Sequence, residues 1–140
     1  MPAVGMKLKL INASKSEDFE GMAGVENRTK IKDVREKDIP MIGKKGLEIT
    51  FVFDVEYKKE NGKSFAMIEM EGDVFYLGED DKKVLEMWAK EKKIPEALNI
   101  DVLNTILRKC ITKSLELSDD LQLPPSIALP YARIRPPEKK

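Results

Sequence analysis

One stretch of the chain, residues 47–77, constrains the fold most strongly because a turn signal separates two arms with apolar side chains on one face. The first arm places an apolar side chain at every second position from Leu47 to Tyr57. This period of two is typical of a strand with one buried face and one solvated face. The Asn61-Gly62 dipeptide that follows favours a two-residue type I′ turn. We therefore predict a long antiparallel hairpin.

A turn at Asn61-Gly62 also fixes which residues of the hairpin face each other. On the apolar face Phe53 then pairs with Met70. On the polar face Asp54 pairs with Glu69, and like charges opposite each other destabilise a sheet. This face is either a solvated edge relieved by neighbouring lysines or a docking surface for a basic partner. The candidate docking residues are Glu48, Asp54, Glu56, Glu69 and Glu71.

The part of the chain before the hairpin shows weaker strand signals. Residues 6–11 alternate and predict a first strand with Leu8 and Leu10 facing inward, and residues 27–34 predict a second strand. Between them we expect a loop that carries Phe19 and Met22. Long loops that keep apolar side chains either pack onto a core or line a binding surface. Both alternatives remain open for Phe19 and Met22.

Two helices are expected after the sheet. Asp80 or Asp81 can cap a short helix over residues 82–93 that carries Trp88 on its apolar side. Pro95 separates it from a longer helix whose apolar residues recur at the spacing of one helical face. These residues are Leu103, Ile106, Leu107, Cys110, Ile111 and Leu115. The prolines of residues 121–140 forbid a helix, so an extended surface tail is expected there.

The composition excludes several kinds of catalytic site. The chain has 140 residues, no histidine and a single cysteine, Cys110. The lack of histidine removes the commonest general base, a common zinc ligand and every Ser-His-Asp arrangement. Cys110 lies in an apolar helical stripe, where a buried thiol is the usual interpretation. We therefore expect one domain that is not an enzyme and that uses no metal and no cofactor.

The charge distribution argues against nucleic acid as a partner. The formal net charge is zero, but residues 47–81 contain ten acidic residues and three lysines. A nucleic-acid binder is expected to present a basic face with exposed aromatic residues. The sequence also has no apolar run near the roughly 20 residues that cross a bilayer. We expect a cytoplasmic protein that does not insert into membranes.

The order of three short motifs resembles the SecB family of export chaperones. The motifs are Glu-Gly-Asp-Val-Phe-Tyr-Leu-Gly at residues 71–78, Arg-Lys-Cys-Ile-Thr at 108–112 and Leu-Gln-Leu-Pro at 121–124. The resemblance covers about residues 7–129, with the opening strand and the apolar loop in matching places. The segment around Trp88 is longer than is usual in the family, and the tail is shorter and more basic.

The resemblance implies an α+β fold, a four-stranded antiparallel sheet followed by two C-terminal helices. It spans a single domain, with the sheet at about residues 6–78, the helices at about 81–118 and the extended tail at 121–140. It further implies a homotetramer, built as a dimer of dimers, that holds unfolded polypeptides in apolar grooves without ATP. Bacterial members serve protein transport by passing clients to the SecA motor through an acidic sheet face, and related members control toxin–antitoxin pairs.

Two sets of residues follow from this interpretation. The expected client-binding residues are Phe19, Met22, Trp88, Ile127 and Leu129. The expected oligomer interface consists of Leu103, Ile106, Leu107, Cys110 and Ile111. For each of them plain packing in the core or between subunits is the alternative. The alternative function is a non-chaperone adaptor whose acidic sheet face docks one basic partner.

Overall fold

The alternating residues of the predicted hairpin form the two central strands of a four-stranded antiparallel sheet. The computed structural model describes residues 3–16, 22–39, 43–78 and 81–130. The strands are β1 (Ala3–Lys15), β2 (Met22–Ile39), β3 (Lys44–Lys59) and β4 (Ser64–Tyr76), and the helices are α1 (Asp81–Glu91) and α2 (Glu96–Asp120). The strand order is β1-β4-β3-β2. The predicted α+β class, with a four-stranded antiparallel sheet followed by two helices, is confirmed.

The core lies between one face of the sheet and the two helices. Every second side chain of β3 from Leu47 to Tyr57 is completely buried there. Helix α2 packs across β4 and β1, and α1 packs against β2. The helices cover the apolar face because it is the only continuous apolar surface that the hairpin offers. The opposite face of the sheet is polar, and we call it the polar sheet face.

The hairpin turn differs from the sequence-based expectation. Only Gly62 adopts a positive φ, of 83°, whereas Asn61 does not. The Gly62 N–H donates a hydrogen bond to the Lys59 carbonyl at 2.9 Å, and the Lys59 N–H donates one to the Lys63 carbonyl at 2.9 Å. The predicted two-residue type I′ turn is therefore wrong. A three-residue loop that ends in a left-handed glycine takes its place.

The predicted register is nevertheless confirmed along the rest of the hairpin. Phe53 pairs with Met70, and Asp54 pairs with Glu69. The longer loop would have shifted the strands, but a β-bulge at Phe65 restores the pairing next to the turn. Such a bulge inserts one extra residue into a strand. Phe65 and Ala66 are consequently both buried although they are neighbours.

A second bulge changes which face of the sheet the side chains of β1 occupy. Leu8 pairs with Gly72, but Leu10 pairs with Glu71, so Lys9 is an extra residue in β1. Because one added residue moves the following side chains to the other face of a sheet, Leu10 lies on the polar sheet face. It is 41% exposed there. The prediction that Leu10 faces inward is wrong, whereas Leu8 packs against the core as expected.

Both edge strands are longer than their apolar patterns suggest. The predicted strands at residues 6–11 and 27–34 are parts of β1, with 13 residues, and β2, with 18 residues. Most of the described part of the predicted loop at residues 12–25 is therefore strand. Polar edge residues give no alternating signal, but their backbones still pair with the long central hairpin.

Helix α2 buries every fourth residue along its length. The buried residues are Leu98, Val102, Ile106, Cys110, Ser114 and Ser118. Ser114 and Ser118 donate hydrogen bonds to the carbonyls of Ile111 and Leu115, at 2.8 and 2.9 Å. These internal bonds satisfy the hydroxyl groups inside the core. In the described part of the chain, neither helix combines the length and apolar character that a membrane span requires.

The described part of the tail, residues 121–130, is not helical, as predicted, but it is anchored to the domain. Tyr57 donates a hydrogen bond to the Pro124 carbonyl at 2.7 Å. The Asn27 amide donates one to the Ser126 carbonyl at 3.0 Å, and the Ser126 and Ser114 hydroxyls lie 2.9 Å apart. The tail thus joins the end of α2 to β2 and β3.

A glycine substitution tests how closely β1 approaches β4. A Cβ atom at Gly72 would overlap the Lys7 carbonyl oxygen, whereas one at Gly24 in β2 would meet nothing within 4 Å. We expect Gly72→Ala to lower the free energy of unfolding by about 2 kcal/mol or more, because the backbones must separate. Gly24→Ala is the matched control, and we expect it to change stability by less than about 0.5 kcal/mol. Urea unfolding measures both, and equal midpoints for the two variants would contradict the close approach.

Candidate functional site

A cavity of about 580 Å³ opens where β2, α1 and the first turns of α2 meet. We call it the Trp88 cavity. Its apolar wall consists of Ile31 from β2, Trp88 from α1, Ile94 from the connection between the helices, and Leu103 from α2. The polar residues around it are Thr29, Lys30, Lys92, Lys93, Glu96 and Asn99. A concave apolar surface with a few polar groups around it is the usual form of a binding site.

Trp88 is positioned by the amphipathic pattern of α1. Val84 and Trp88 are four residues apart, so they share one face of the helix and are its buried residues. Trp88 retains 9% of its exposed area. It is therefore a wall of the cavity that is fixed by the core, and an occupant would contact only part of its ring.

The end of α1 holds a cation over this ring. The Lys92 N–H donates a hydrogen bond to the Trp88 carbonyl at 3.0 Å and closes the helix. Lys92 adopts a φ of 55°, a left-handed conformation that costs a non-glycine residue roughly 1 kcal/mol. Its ammonium nitrogen lies 5.3 Å from the centre of the Trp88 ring, which is a cation–π distance. Main chain and side chain together place a positive charge at the cavity.

The cavity is suited to binding and offers no catalytic pair. Glu96 is the one carboxylate among its lining residues. No group of three potential metal ligands is found among the side chains of the described ranges. The predicted burial of Cys110 is confirmed, and burial raises the pKa of its thiol to about 12. A thiol with that pKa is protonated at neutral pH and is a poor nucleophile.

The structure brings one of the predicted client-binding residues to this cavity. Trp88 lines it, whereas Ile127 and Leu129 lie on the tail, 37% and 39% exposed, and are not among its lining residues. Phe19 lies outside the described residues. Met22 begins β2, and its side chain is outside the description. A client-binding role for all five residues, Trp88 included, stays a prediction.

Most residues that line the Trp88 cavity carry no clear binding signal in the sequence. Ile31 carried a weak strand signal, and Lys92 and Lys93 were interpretable as a solvated helix flank. Leu103 was assigned to an oligomer interface, but it also lines the cavity. The available signal was the pair Lys92-Lys93, which precedes Ile94 and Pro95 at a helix end near the only tryptophan.

The predicted oligomer interface divides into two groups. Ile106 and Cys110 are fully buried against the chain's own sheet. Leu103, Leu107 and Ile111 are half-buried. Together with Leu115 they recur at every fourth position and form a continuous line on one flank of α2, which we call the α2 ridge. The ridge starts at the Trp88 cavity, because Leu103 belongs to both.

On the polar sheet face, cations from the edge strands and β3 meet most of the carboxylates. Arg28 of β2 pairs with Asp54 at 3.0 Å and with Glu56 at 3.6 Å, and Lys58 pairs with Glu56 at 3.4 Å. Lys32 pairs with Glu71 at 3.3 Å. These ion pairs offset the repulsion that the sequence predicts between carboxylates on one face.

Glu48 and Glu69 differ most strongly in burial and in ion pairing among the carboxylates of the polar sheet face. The Glu48 side chain is 4% exposed and is paired with Arg35 and, at 2.8 Å, with Lys37. Glu69 stands opposite Asp54 and has no ion pair with any described residue. A basic partner could therefore reach Glu69 directly, but it would have to displace two cations to reach Glu48. Docking by this face stays a prediction.

Comparison with known proteins supports the fold. No protein-family model matches the sequence, and no curated protein matches it. Among solved structures, the chain is similar to the Rv1957 SecB-like chaperone of Mycobacterium tuberculosis, determined in complex with a ChAD peptide from the Rv1956 HigA1 antitoxin. The TM-score is 0.56 at 13% sequence identity, over 95% of this chain and 91% of the other. The chain thus has the fold of a SecB-like chaperone.

Two substitutions on the polar sheet face test its electrostatics. We expect Glu69→Gln to preserve stability or to raise it by up to about 0.5 kcal/mol, because it removes the repulsion with Asp54. We expect Glu48→Gln to lower stability by roughly 1–3 kcal/mol, because it removes a buried charge from between Arg35 and Lys37. Thermal and urea unfolding measure both effects. A stability loss in Glu69→Gln as large as that in Glu48→Gln would contradict this assignment.

Proposed function

We propose that the chain is an ATP-independent holdase chaperone of the cytoplasm that binds extended, apolar segments of unfolded polypeptides. The observation that carries the proposal is the Trp88 cavity and its continuation into the α2 ridge. This apolar surface is open, whereas the apolar side chains of β3 from Leu47 to Tyr57 are completely buried. The peptide-bound SecB-like chaperone with the same fold supports the same conclusion.

The apolar surface would supply the free energy of binding. Removing apolar area from water stabilises a complex by roughly 25 cal/mol per Å². Because this force is not directional, it does not require a particular client sequence. Contacts of this kind are expected to give a negative heat-capacity change on binding and little dependence on salt.

An edge strand lies beside the cavity and would add contacts that are independent of client sequence. Within the described ranges β2 is an outer strand of the sheet and pairs with β3 alone. Thr29, Lys30 and Ile31 of this strand line the cavity. An extended client could donate and accept main-chain hydrogen bonds along β2 while its apolar side chains enter the cavity. This mode suits unfolded clients because every extended chain carries the same backbone groups.

The main test is suppression of aggregation without ATP. We expect the protein to delay the aggregation of several unrelated denatured clients, whereas an adaptor for one partner would protect none of them. Leu103→Gln should weaken the protection several-fold because it places a polar group in the cavity wall. Ile100→Gln is the matched control, since Ile100 is a 51% exposed residue of the same helix that does not line the cavity. Light scattering of the client reports the result.

The same assay tests the proposed roles of Phe19 and Met22. Replacing both with Ser should reduce protection while the far-UV circular dichroism and the native mass stay unchanged. Loss of the native assembly would show instead that these residues contribute to packing. If the protein protects no client, and Leu103→Gln behaves like Ile100→Gln, the holdase proposal is wrong.

We also propose that the chain forms a tetramer, with the remaining part of the α2 ridge at a subunit contact. Leu107 and Ile111 are half-buried in the single chain, and an apolar surface of this kind is commonly covered by a second subunit. Multi-angle light scattering should report about four chains. Ile111→Asp should dissociate the assembly, because a carboxylate buried without a partner costs several kcal/mol. A stable monomer at micromolar concentration would contradict the proposal.

A further inference from the structure

The charges at the opening of the Trp88 cavity are unbalanced. Lys92 and Lys93, directly after α1, are exposed residues that border it, and we call them the lysine rim. Among the described residues, neither of them is paired with a carboxylate. Glu96 is the single acidic residue that lines the cavity, and it forms no ion pair with either lysine.

This lysine rim contrasts with the other basic residues next to the sheet. Arg28, Lys32 and Arg35 of β2 are each paired with a carboxylate on the polar sheet face. Lys30 pairs with Val52 of β3, so its side chain also lies on that face and does not point towards the helices. Lys92 and Lys93 are therefore the uncompensated positive charges at the apolar opening.

Two further features add positive potential at the same place. Glu96 and Asn99 of the first turn of α2 line the cavity, so the N-terminal end of this helix borders it. Its N-cap residue, Pro95, makes no side-chain capping bond, and the first N–H groups of a helix carry partial positive charge. In addition, the left-handed conformation of Lys92 keeps its ammonium group over the Trp88 ring.

We infer that the Trp88 cavity selects extended peptide segments in which an aromatic or aliphatic residue is flanked by acidic residues. This inference rests on the proposed function and names the class of client that the site prefers. The apolar anchor contacts Trp88 and Leu103, and the flanking carboxylates pair with the lysine rim. The apolar contacts supply most of the affinity, and the charges supply the discrimination between clients.

Peptide titration followed by tryptophan fluorescence tests the inference. Trp88 is the only tryptophan of the chain, so its emission reports directly on the cavity. The probes are peptides without tryptophan that share one Phe-Leu anchor and differ only in flanking Glu, Gln or Lys residues. Each exposed ion pair contributes about 0.2–1 kcal/mol, and two flanking carboxylates can pair with the two lysines. We therefore expect the Glu peptide to bind roughly five- to tenfold more tightly than the Gln peptide at low salt. The Lys peptide should bind most weakly.

Salt and a pair of matched variants identify the source of the preference. High salt should bring the Glu and Gln peptides to similar dissociation constants, because it screens exposed charges. Lys92→Gln/Lys93→Gln should abolish the preference and leave the Gln peptide within about twofold of the wild-type affinity. The control, Lys82→Gln/Lys83→Gln, makes the same charge change on α1 outside the cavity and should keep the preference.

The possible results separate this inference from the proposed function. Equal binding of the Glu and Gln peptides to the wild type, with clients still protected, would overturn the acidic preference alone. Equal loss of the preference in both double variants would also overturn it, because the total charge would then be responsible. Failure of all peptides to bind, together with no protection of any client, would overturn both.

Discussion

The structure depends on the complete burial of one face of the β3–β4 hairpin. Every second residue of β3 from Leu47 to Tyr57 is inaccessible to water. A slip of one residue would move this whole apolar set to the polar sheet face and bring Asp54 and its neighbours into the core. The register is therefore fixed by the free energy of burying this apolar set. The edge strands and both helices then pack against a hairpin that already has one apolar face and one polar face.

The two faces also separate the charges of the chain. On the polar sheet face, acidic residues of β3 and β4 are met by basic residues from β1, β2 and β3, including the pair between Lys9 and Asp73 at 3.2 Å. Asp73 also accepts a hydrogen bond from Thr50 at 2.7 Å. Carboxylates on two central strands could not stand side by side without these partners. The formal net charge of the sequence is zero, but the charges are unevenly distributed. Most charges on the polar sheet face form ion pairs, whereas the lysine rim at the Trp88 cavity does not.

The parts of the fold that depend on neighbours in sequence were predictable, and those that depend on distant partners were not. The pairing of Phe53 with Met70 follows from a short loop and an alternating pattern. In contrast, the bulge at Lys9 that turns Leu10 outward arises from pairing between β1 and β4, which lie at opposite ends of the sheet sequence. The Trp88 cavity could not be predicted because Ile31, Trp88 and Leu103 meet only when β2, α1 and α2 pack. Trp88 itself was identifiable because an aromatic residue on the apolar side of a short helix is evident from sequence.

The α2 ridge has to serve two proposed roles, and its position limits how they can be shared. Leu103 borders the cavity, and Leu107 and Ile111 lie progressively further along the same flank, with about 6 Å between successive positions spaced by four residues. A client that follows β2 would contact the first of these residues, and a second subunit could cover the later ones. If the subunit contact ended at the cavity, assembly would extend the apolar wall beyond a single chain. Client binding and assembly would then be coupled, since each stabilises the same arrangement of α2.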